Sequence, residues 1–396
     1  MHYDFETMLN RWGTGSTKWE EMSNYGISPE QSIIPMSNAE MEFYNPPEVI
    51  EGLKEYLDTA VLAYYKPTQS YFDSVALWMR ERFGWKIEDD WICPYPGIHG
   101  ALSNLVKAFT QQGDGVIVME PTWPGFFTVL KENKRICVNN PLLMNEETLS
   151  YSIDFEDLER KAADPKNKMI FFCSPHNPIG RVWSRDELER VAEICIAHNV
   201  IIVSDEAHAD IVMPGFTHIP MASLSKEVSM QTITCTAPSK TFNLAGLCCS
   251  NLIIENSEFR EAFIEQRVKD GIFRPSMLSL KACELAYSKS SGWLEECLRV
   301  LDDNQKYVRN FLAEKIPLIH ATNLEGTYLM WLDMRALGLT CEELEKALMS
   351  DAKVFFDDGY YFGECGKGFE RVNIACPKAA VVDAMDRLHA WVANLV

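Results

Sequence analysis

The 396-residue chain predicts an α/β fold with a mostly parallel sheet covered by helices on both sides. Three observations point there. Strand-like and helix-like runs alternate through the middle of the chain. The strand-like runs are apolar on both faces, as strands covered on both sides are. The helix-like runs between them are amphipathic and carry start signals.

ICPY (92–95) is a short strand that leads through PGIHGAL into a helical run. GVIVMEP (115–121), KMIFFCSP (168–175), VIIVSDEAH (200–208), TITCTAPS (232–239) and SNLIIEN (250–256) are β-branched or continuously apolar. SRDELERVAEICIAHN (184–199) reads as a helix whose Ser184 N-cap and Glu187 form a capping box. From about Ser288 the pattern changes to a long helical stretch, GTYLMWLDM, a helix near 341–350, VFFDDGYYFG, FERVNIACP and a terminal helix. That part reads as a smaller α+β unit. The first 45 or so residues are irregular and are expected to pack with it.

Composition narrows the function. The formal charge of −20, from 37 basic and 57 acidic side chains, argues against a nucleic-acid or anionic-membrane surface. No apolar run approaches the roughly 20 residues of a membrane helix. The start, MHYDFETMLNRW, has acidic residues and no apolar core, so no secretory leader is expected and the cytoplasm is the expected location. The twelve cysteines lie in apolar runs without a C-x-x-C pair, as reduced, packed thiols do. The eight histidines show no H-E-x-x-H spacing, and no metal site is expected.

Open α/β sheets carry their chemistry at the carboxyl ends of the strands. After ICPY, Gly97 opens a helix whose first N–H groups, at Ile98 and His99, suit a phosphate; many strand-to-helix turns look the same. After GVIVMEP stands Trp123, either a core aromatic or a stacking face. After KMIFFCSP, Asn177 is a turn residue or an amide donor. VIIVS runs straight into Asp205, with His208 beyond it. Such an acid either caps a helix or holds a buried cation. TITCTAP ends at Ser239 and Lys240. A lysine here either snorkels to solvent or is a desolvated amine able to form a Schiff base. A phosphate cradle, a ring-stacking face, an amide, an acid and an amine together match the needs of pyridoxal phosphate.

These motifs carry a resemblance. RWGTGSTKWE (11–20), SPHNPIGRVWSRDEL (174–188), SDEAHAD (204–210), APSKTFNLAG (237–246), GTYLMWLDMRALGL (326–339) and GFERVNIACPK (368–378) run through nearly the whole chain. In this order and spacing the sequence resembles the pyridoxal-phosphate-dependent fold type I enzymes of the aspartate-aminotransferase superfamily. Within them it is most similar to the cystathionine β-lyase or cystalysin-like C–S lyase branch. The resemblance implies a large cofactor domain over 45–287, with a small domain made of 1–44 and 288–396. It implies a homodimer, with an L-amino acid as substrate.

It also implies roles. Lys240 would bond the cofactor aldehyde, Asp205 would face the ring nitrogen, and Asn177 would donate to the ring oxygen with His208 close by. Trp123 would stack on the ring. Gly97, Ile98, His99 and Ser239 would hold the phosphate, joined across the dimer by Tyr64, or alternatively Tyr65. Arg371 would clamp the substrate carboxylate, and Asn38 and Ala39 would border the substrate. The expected reaction is α,β-elimination from L-cystathionine or a cysteine S-conjugate. Transamination is the rival outcome, and racemisation or a regulatory cofactor-binding role the lesser ones.

Four departures from the lyase pattern stand out. Trp123 replaces a tyrosine, and SNAEMEF (37–43) replaces a W-V-A-D-M-D-F-like segment. Ala237 stands where a hydroxyl is common, to be compensated by Thr236 or Ser239. Cys248 stands where many aminotransferases have arginine.

Overall fold

The computed structural model describes residues 3–31 and 33–395. Its centre is a seven-stranded sheet made of β1 (Ile92–Tyr95), β2 (Gly115–Val118), β3 (Ile136–Asn139), β4 (Asn167–Cys173), β5 (Ile201–Asp205), β6 (Thr232–Thr236) and β7 (Ser250–Ile253), in the order β1-β7-β6-β5-β4-β2-β3. Neighbours from β6 to β3 run parallel, and β7 is antiparallel to both β6 and β1. The sheet is therefore mostly parallel, as the apolar runs predict.

Alternation along each strand explains the double covering. Ile117, Ile170, Phe172 and Ile202 pack into one core cluster, and Val116, Met169, Phe171 and Val203 into a second one. Both sets are buried, so side chains on each face meet helices instead of water. The strand β3 escapes the sequence reading because it is an edge strand. Ile136 is exposed, and the run RICVNN has only three apolar residues in a row.

Helix α1 (Ile98–Phe109) follows β1 directly, and helix α2 (Arg185–Ala197) lies between β4 and β5. The α2 start carries the expected capping box: Ser184 Oγ accepts from the Glu187 N–H, and the Glu187 side chain accepts from the Ser184 N–H. After β7 come helices α3 (Met277–Lys289) and α4 (Ser291–Lys315). A second, four-stranded sheet then forms from β8 (His320–Ala321), β9 (Leu329–Asp333), β10 (Asp357–Asp358) and β11 (Phe369–Asn373), in the order β8-β9-β11-β10. The helix expected near 341–350 spans Cys341–Ala347 and widens into a looser turn over Leu348–Ala352. Helix α5 (Lys378–Leu395) closes the chain. No helix among the described residues is long and apolar enough to cross a membrane.

The irregular N-terminal segment is tied to this second sheet. Ile34 pairs in parallel with Val354, the Met36 N–H donates to Phe355 O at 2.9 Å, and the Asn373 N–H donates to Met36 O at 2.8 Å. The fully buried Lys18 is held by Glu42, 3.1 Å away, which also accepts from Trp19 Nε1. A buried ammonium needs such a partner. These contacts set the path of residues 38–41 over the carboxyl ends of β5 and β6.

Candidate active site

A cavity of about 290 Å³ opens at those strand ends. It is lined by Ala39, Gly97, Ile98, His99, Trp123, Asn177, Asp205, His208, Ser239 and Lys240, among others. Residues 142 positions apart in sequence, from Gly97 to Ser239, thus meet at one place.

Lys240 lies on a helical turn, Pro238–Thr241, directly beyond β6. Its Nζ donates to the Ala39 carbonyl at 2.6 Å, and the buried Tyr328 hydroxyl donates to the same oxygen at 2.9 Å. Burial, and after it the Arg371 charge, lower the Lys240 amine to about 8, against upward pulls from Asp205, Glu40 and Asp357. The snorkelling alternative fails because the ammonium points inward, to a backbone carbonyl.

Asp205 ends β5, in register with Cys235 of β6, and is buried. Its Oδ1 accepts from the Ala207 N–H at 3.2 Å. Burial raises its carboxyl to about 6, although the Ala207 hydrogen bond and Lys240 pull it down. His208 is buried, edge-on to Tyr328 at 5.5 Å, and its Nδ1 has no hydrogen-bond partner among the described residues. Burial, with help from Lys240 and Arg371, holds its imidazole well below the usual range, so it is neutral. A carboxylate, a partnerless imidazole nitrogen and an amine of lowered basicity on one cavity wall form a site built to receive a polar ligand.

Asn177 is also buried. Its Oδ1 accepts from Arg371 Nη1 at 3.0 Å, which leaves Nδ2 as the donor its amide can offer. Gly97 takes φ +84°, a left-handed value that side chains rarely adopt, and nothing lies within 4 Å of where a Cβ would stand. The turn it makes starts α1, whose first N–H groups at Ile98 and His99 have no partner inside the helix. Trp123 stands edge-on to His99 and Phe126, with ring centroids 5.9 and 5.5 Å away. Of the two hydroxyls proposed to offset Ala237, Thr236 is turned into the sheet, donating to Asn251 O at 3.4 Å, whereas Ser239 lines the cavity. Cys248 lines the cavity as well and is exposed.

Arg371, Asn38 and Tyr64 do not line this cavity, nor do the alternatives Tyr65 and Thr236. Arg371, on β11, is buried behind Asn177, with Nε and Nη2 on Asp357 Oδ2 at 3.0 and 2.7 Å. Asn38 turns its side chain to Glu21, and its backbone N–H donates to Asp357 Oδ1 at 3.1 Å. Tyr64 is fully exposed on an irregular segment, pointing away from its own chain. The alternative, Tyr65, donates its hydroxyl to Pro275 O and is engaged within the chain. Sequence reasoning missed Asp357, Tyr328 and Glu40. The acid run in FFDDGYY reads as solvated charge, and only its pairing with FERVN reveals what Asp357 touches.

A larger cavity, about 520 Å³, lies beside α4. Several of its charged groups are already paired: Arg82 is held by Asp210 and Glu295, His218 by Glu206, and Asp302 by Lys306. The smaller cavity holds the reactive side chains.

Comparisons with known proteins identify the family. The family model for aminotransferase class I and II matches residues 32–388. Cystathionine β-lyase PatB of Bacillus subtilis is 38% identical over 388 residues, covering 98% of this chain and 99% of that protein. Protein MalY of Escherichia coli is 31% identical over 380 residues, 95% of each chain. The crystal structure of cystalysin from Treponema denticola, which contains a pyridoxal 5′-phosphate cofactor, superposes with a TM-score of 0.97 and 42% identity over all of both chains. The chain belongs to the class I and II aminotransferase family, with the fold of the pyridoxal-phosphate-dependent fold type I enzymes.

Proposed function

We propose that the chain is a pyridoxal-phosphate-dependent carbon–sulfur β-lyase that acts on L-cystathionine or cysteine S-conjugates, releasing pyruvate, ammonia and a thiol. The observation that carries this reading is the Lys240 amine, lowered to about 8 and sharing one cavity with the buried Asp205 carboxylate. The lyase relatives favour elimination over transamination as the outcome.

The residues present fit the cofactor. Lys240 would supply the amine for its aldehyde. Asp205 would keep a ring nitrogen protonated and so gain the cationic partner that its buried carboxylate lacks. Asn177 Nδ2 would donate to the ring oxygen, with the neutral His208 beside it. Trp123 would offer an aromatic face to the ring. The Ile98 and His99 N–H groups, at the turn made by Gly97, would hold the phosphate together with the Ser239 hydroxyl. When bound, the cofactor supplies the electron sink that makes the substrate Cα–H bond acidic.

The protein then moves one proton and orients the rest. The freed Lys240 amine takes the Cα proton, as a base of pKa near neutrality can. Arg371 binds the α-carboxylate through its planar fork, which sets the Cα–H bond toward Lys240. Ala39 borders the substrate, and Asn38 supports that edge through Asp357. The Cβ–S bond breaks with its electron pair going to sulfur, which takes the proton held by Lys240 and leaves as a thiol, and the released enamine is hydrolysed by one water to pyruvate and ammonia.

The enzyme works as a homodimer in this reading. Val61 (80% exposed), Leu62 (69%), Tyr64 (108%) and Phe273 (83%) are large apolar side chains left uncovered. A second copy would cover them and bring Tyr64 to the neighbouring phosphate.

Three measurements test this. Steady-state assay of the holoenzyme with L-cystathionine is expected to release pyruvate and a thiol in equal amounts; steady accumulation of the pyridoxamine form of the cofactor with a keto acid would point to transamination instead. Sedimentation is expected to give a dimer, and Tyr64→Phe to weaken cofactor retention about tenfold within that dimer; a monomer that retains cofactor equally well contradicts the shared site. The third concerns Asp205. Its folded pKa of about 6 lies above the ordinary ~3.9, so its stabilising contribution is present below ~4 and is lost as pH rises through 6. Asp205→Asn is therefore expected to stabilise the cofactor-free protein at pH 8 by on the order of 2 kcal/mol, with no gain at pH 4, while cofactor retention collapses. Equal destabilisation at both pH values would make Asp205 a structural residue.

A further inference from the structure

We propose that Asp357 is a positioning residue for the reaction: it fixes which edge of Arg371 is offered to the substrate α-carboxylate. This rests on Arg371 being the carboxylate clamp.

The pair is built into the second sheet. Asp357 and Arg371 are direct cross-strand partners on β10 and β11, so the two side chains share one face. Arginine has five N–H donors. Nε and Nη2 each give one to Asp357 Oδ2, at 3.0 and 2.7 Å, and Nη1 gives one to Asn177 Oδ1 at 3.0 Å. Two donors are left, one on Nη1 and one on Nη2. A carboxylate has two oxygens, and the paired terminal nitrogens of a guanidinium are its bidentate match. The Phe362 ring covers one face of the guanidinium, 4.6 Å from Cζ. The arginine is thus held on one edge, at one terminal nitrogen and on one face before any substrate arrives.

Asp357 also carries the register onward. Its Oδ1 accepts from the Asn38 N–H at 3.1 Å, and Asn38 takes φ +51°. The next residue, Ala39, presents the carbonyl that holds Lys240 Nζ and the Tyr328 hydroxyl. One carboxylate therefore links the carboxylate clamp to the backbone that holds the amine. Position and charge act in opposite senses here. Ordering a long, rotamer-rich arginine in advance lowers the cost of binding, whereas a negative charge beside it weakens attraction for a second carboxylate. Both Asp357 oxygens are in use, and an amide can accept at only one of them, so Asp357→Asn breaks the positioning as well as the charge.

The test is steady-state kinetics of the holoenzyme with L-cystathionine and with a cysteine S-conjugate as free acid and as α-carboxamide. Wild-type enzyme is expected to favour the acid strongly. Asp357→Asn is expected to raise KM for the acids about tenfold, to change kcat by less than about threefold, and to narrow the preference for acid over amide. An unchanged or lowered KM, with wild-type still preferring the acid, overturns the role of Asp357 and leaves Arg371 as the clamp. No preference in the wild type removes the clamp itself and this inference with it. Asp357→Glu keeps the charge but displaces it by one methylene, so it also serves if the Asn variant does not fold. It is expected to raise KM likewise, and a wild-type KM in that variant means that position is irrelevant.

Discussion

A half-buried amine, partly stripped of water at the end of a buried strand, is the constraint from which the rest of the structure follows. Lys240 sits at the carboxyl edge of a parallel sheet, where three strands end together and helix starts point their N–H groups. Its ammonium form loses hydration there and finds one backbone carbonyl, that of Ala39, in return. That carbonyl belongs to a segment with no place in the large sheet. The segment is held over the strand ends by Glu42 on Lys18 and Trp19, and by Asn373, whose amide donates to the carbonyls of Asn38 and Glu40, both at 2.6 Å. The second sheet and the N-terminus therefore serve to close a site that the first sheet only begins.

Charge is distributed around that amine with little slack. Asp205 and Arg371 are both buried, and each affects Lys240, in opposite senses. Arg371 is balanced by Asp357, while Asp205 has only a backbone N–H and stays costly to ionise. An unbalanced buried acid beside a lowered amine is a strained state for a protein by itself. It becomes a matched pair of partners once a ligand with a cationic ring nitrogen and an aldehyde is bound. The destabilisation is the counterpart of binding, in the sense that a site organised for a ligand is not organised for its absence.

Much of this was readable before any coordinates. The strands with continuous apolar runs, the Ser184–Glu187 capping box and the reactive residues at strand ends follow from local pattern, because both signals act over a few neighbours. Lys240 and Asp205 stood out for the same reason: each interrupts a run that predicts burial. Arg371 and Tyr64 did not, and only the resemblance to a family picked them out; Trp123 stood at a strand end, but only the resemblance chose between a core aromatic and a stacking face. What escaped was set by contacts across the chain. The edge strand Ile136–Asn139 has an apolar stretch of only three residues, none of it buried. Asp357 reads as one of two solvated acids until β10 is laid against β11, where it meets Arg371 while Asp358 meets Glu370 on the opposite face. Asn38 was expected to border the substrate; its side chain turns to Glu21 and its backbone N–H meets Asp357, contacts that residue type alone cannot signal.

The most direct test of the desolvated amine is the pH dependence of its labelling. Cofactor-free protein would be mixed with pyridoxal phosphate between pH 6 and pH 11, reduced with borohydride, and the modified lysine counted by peptide mass spectrometry. Labelling is expected at Lys240 ahead of the surface lysines, rising with a midpoint near 8. Labelling spread over the surface lysines, or a Lys240 midpoint at the ordinary value of about 10.4, would contradict the claim that burial and Arg371 make this amine reactive.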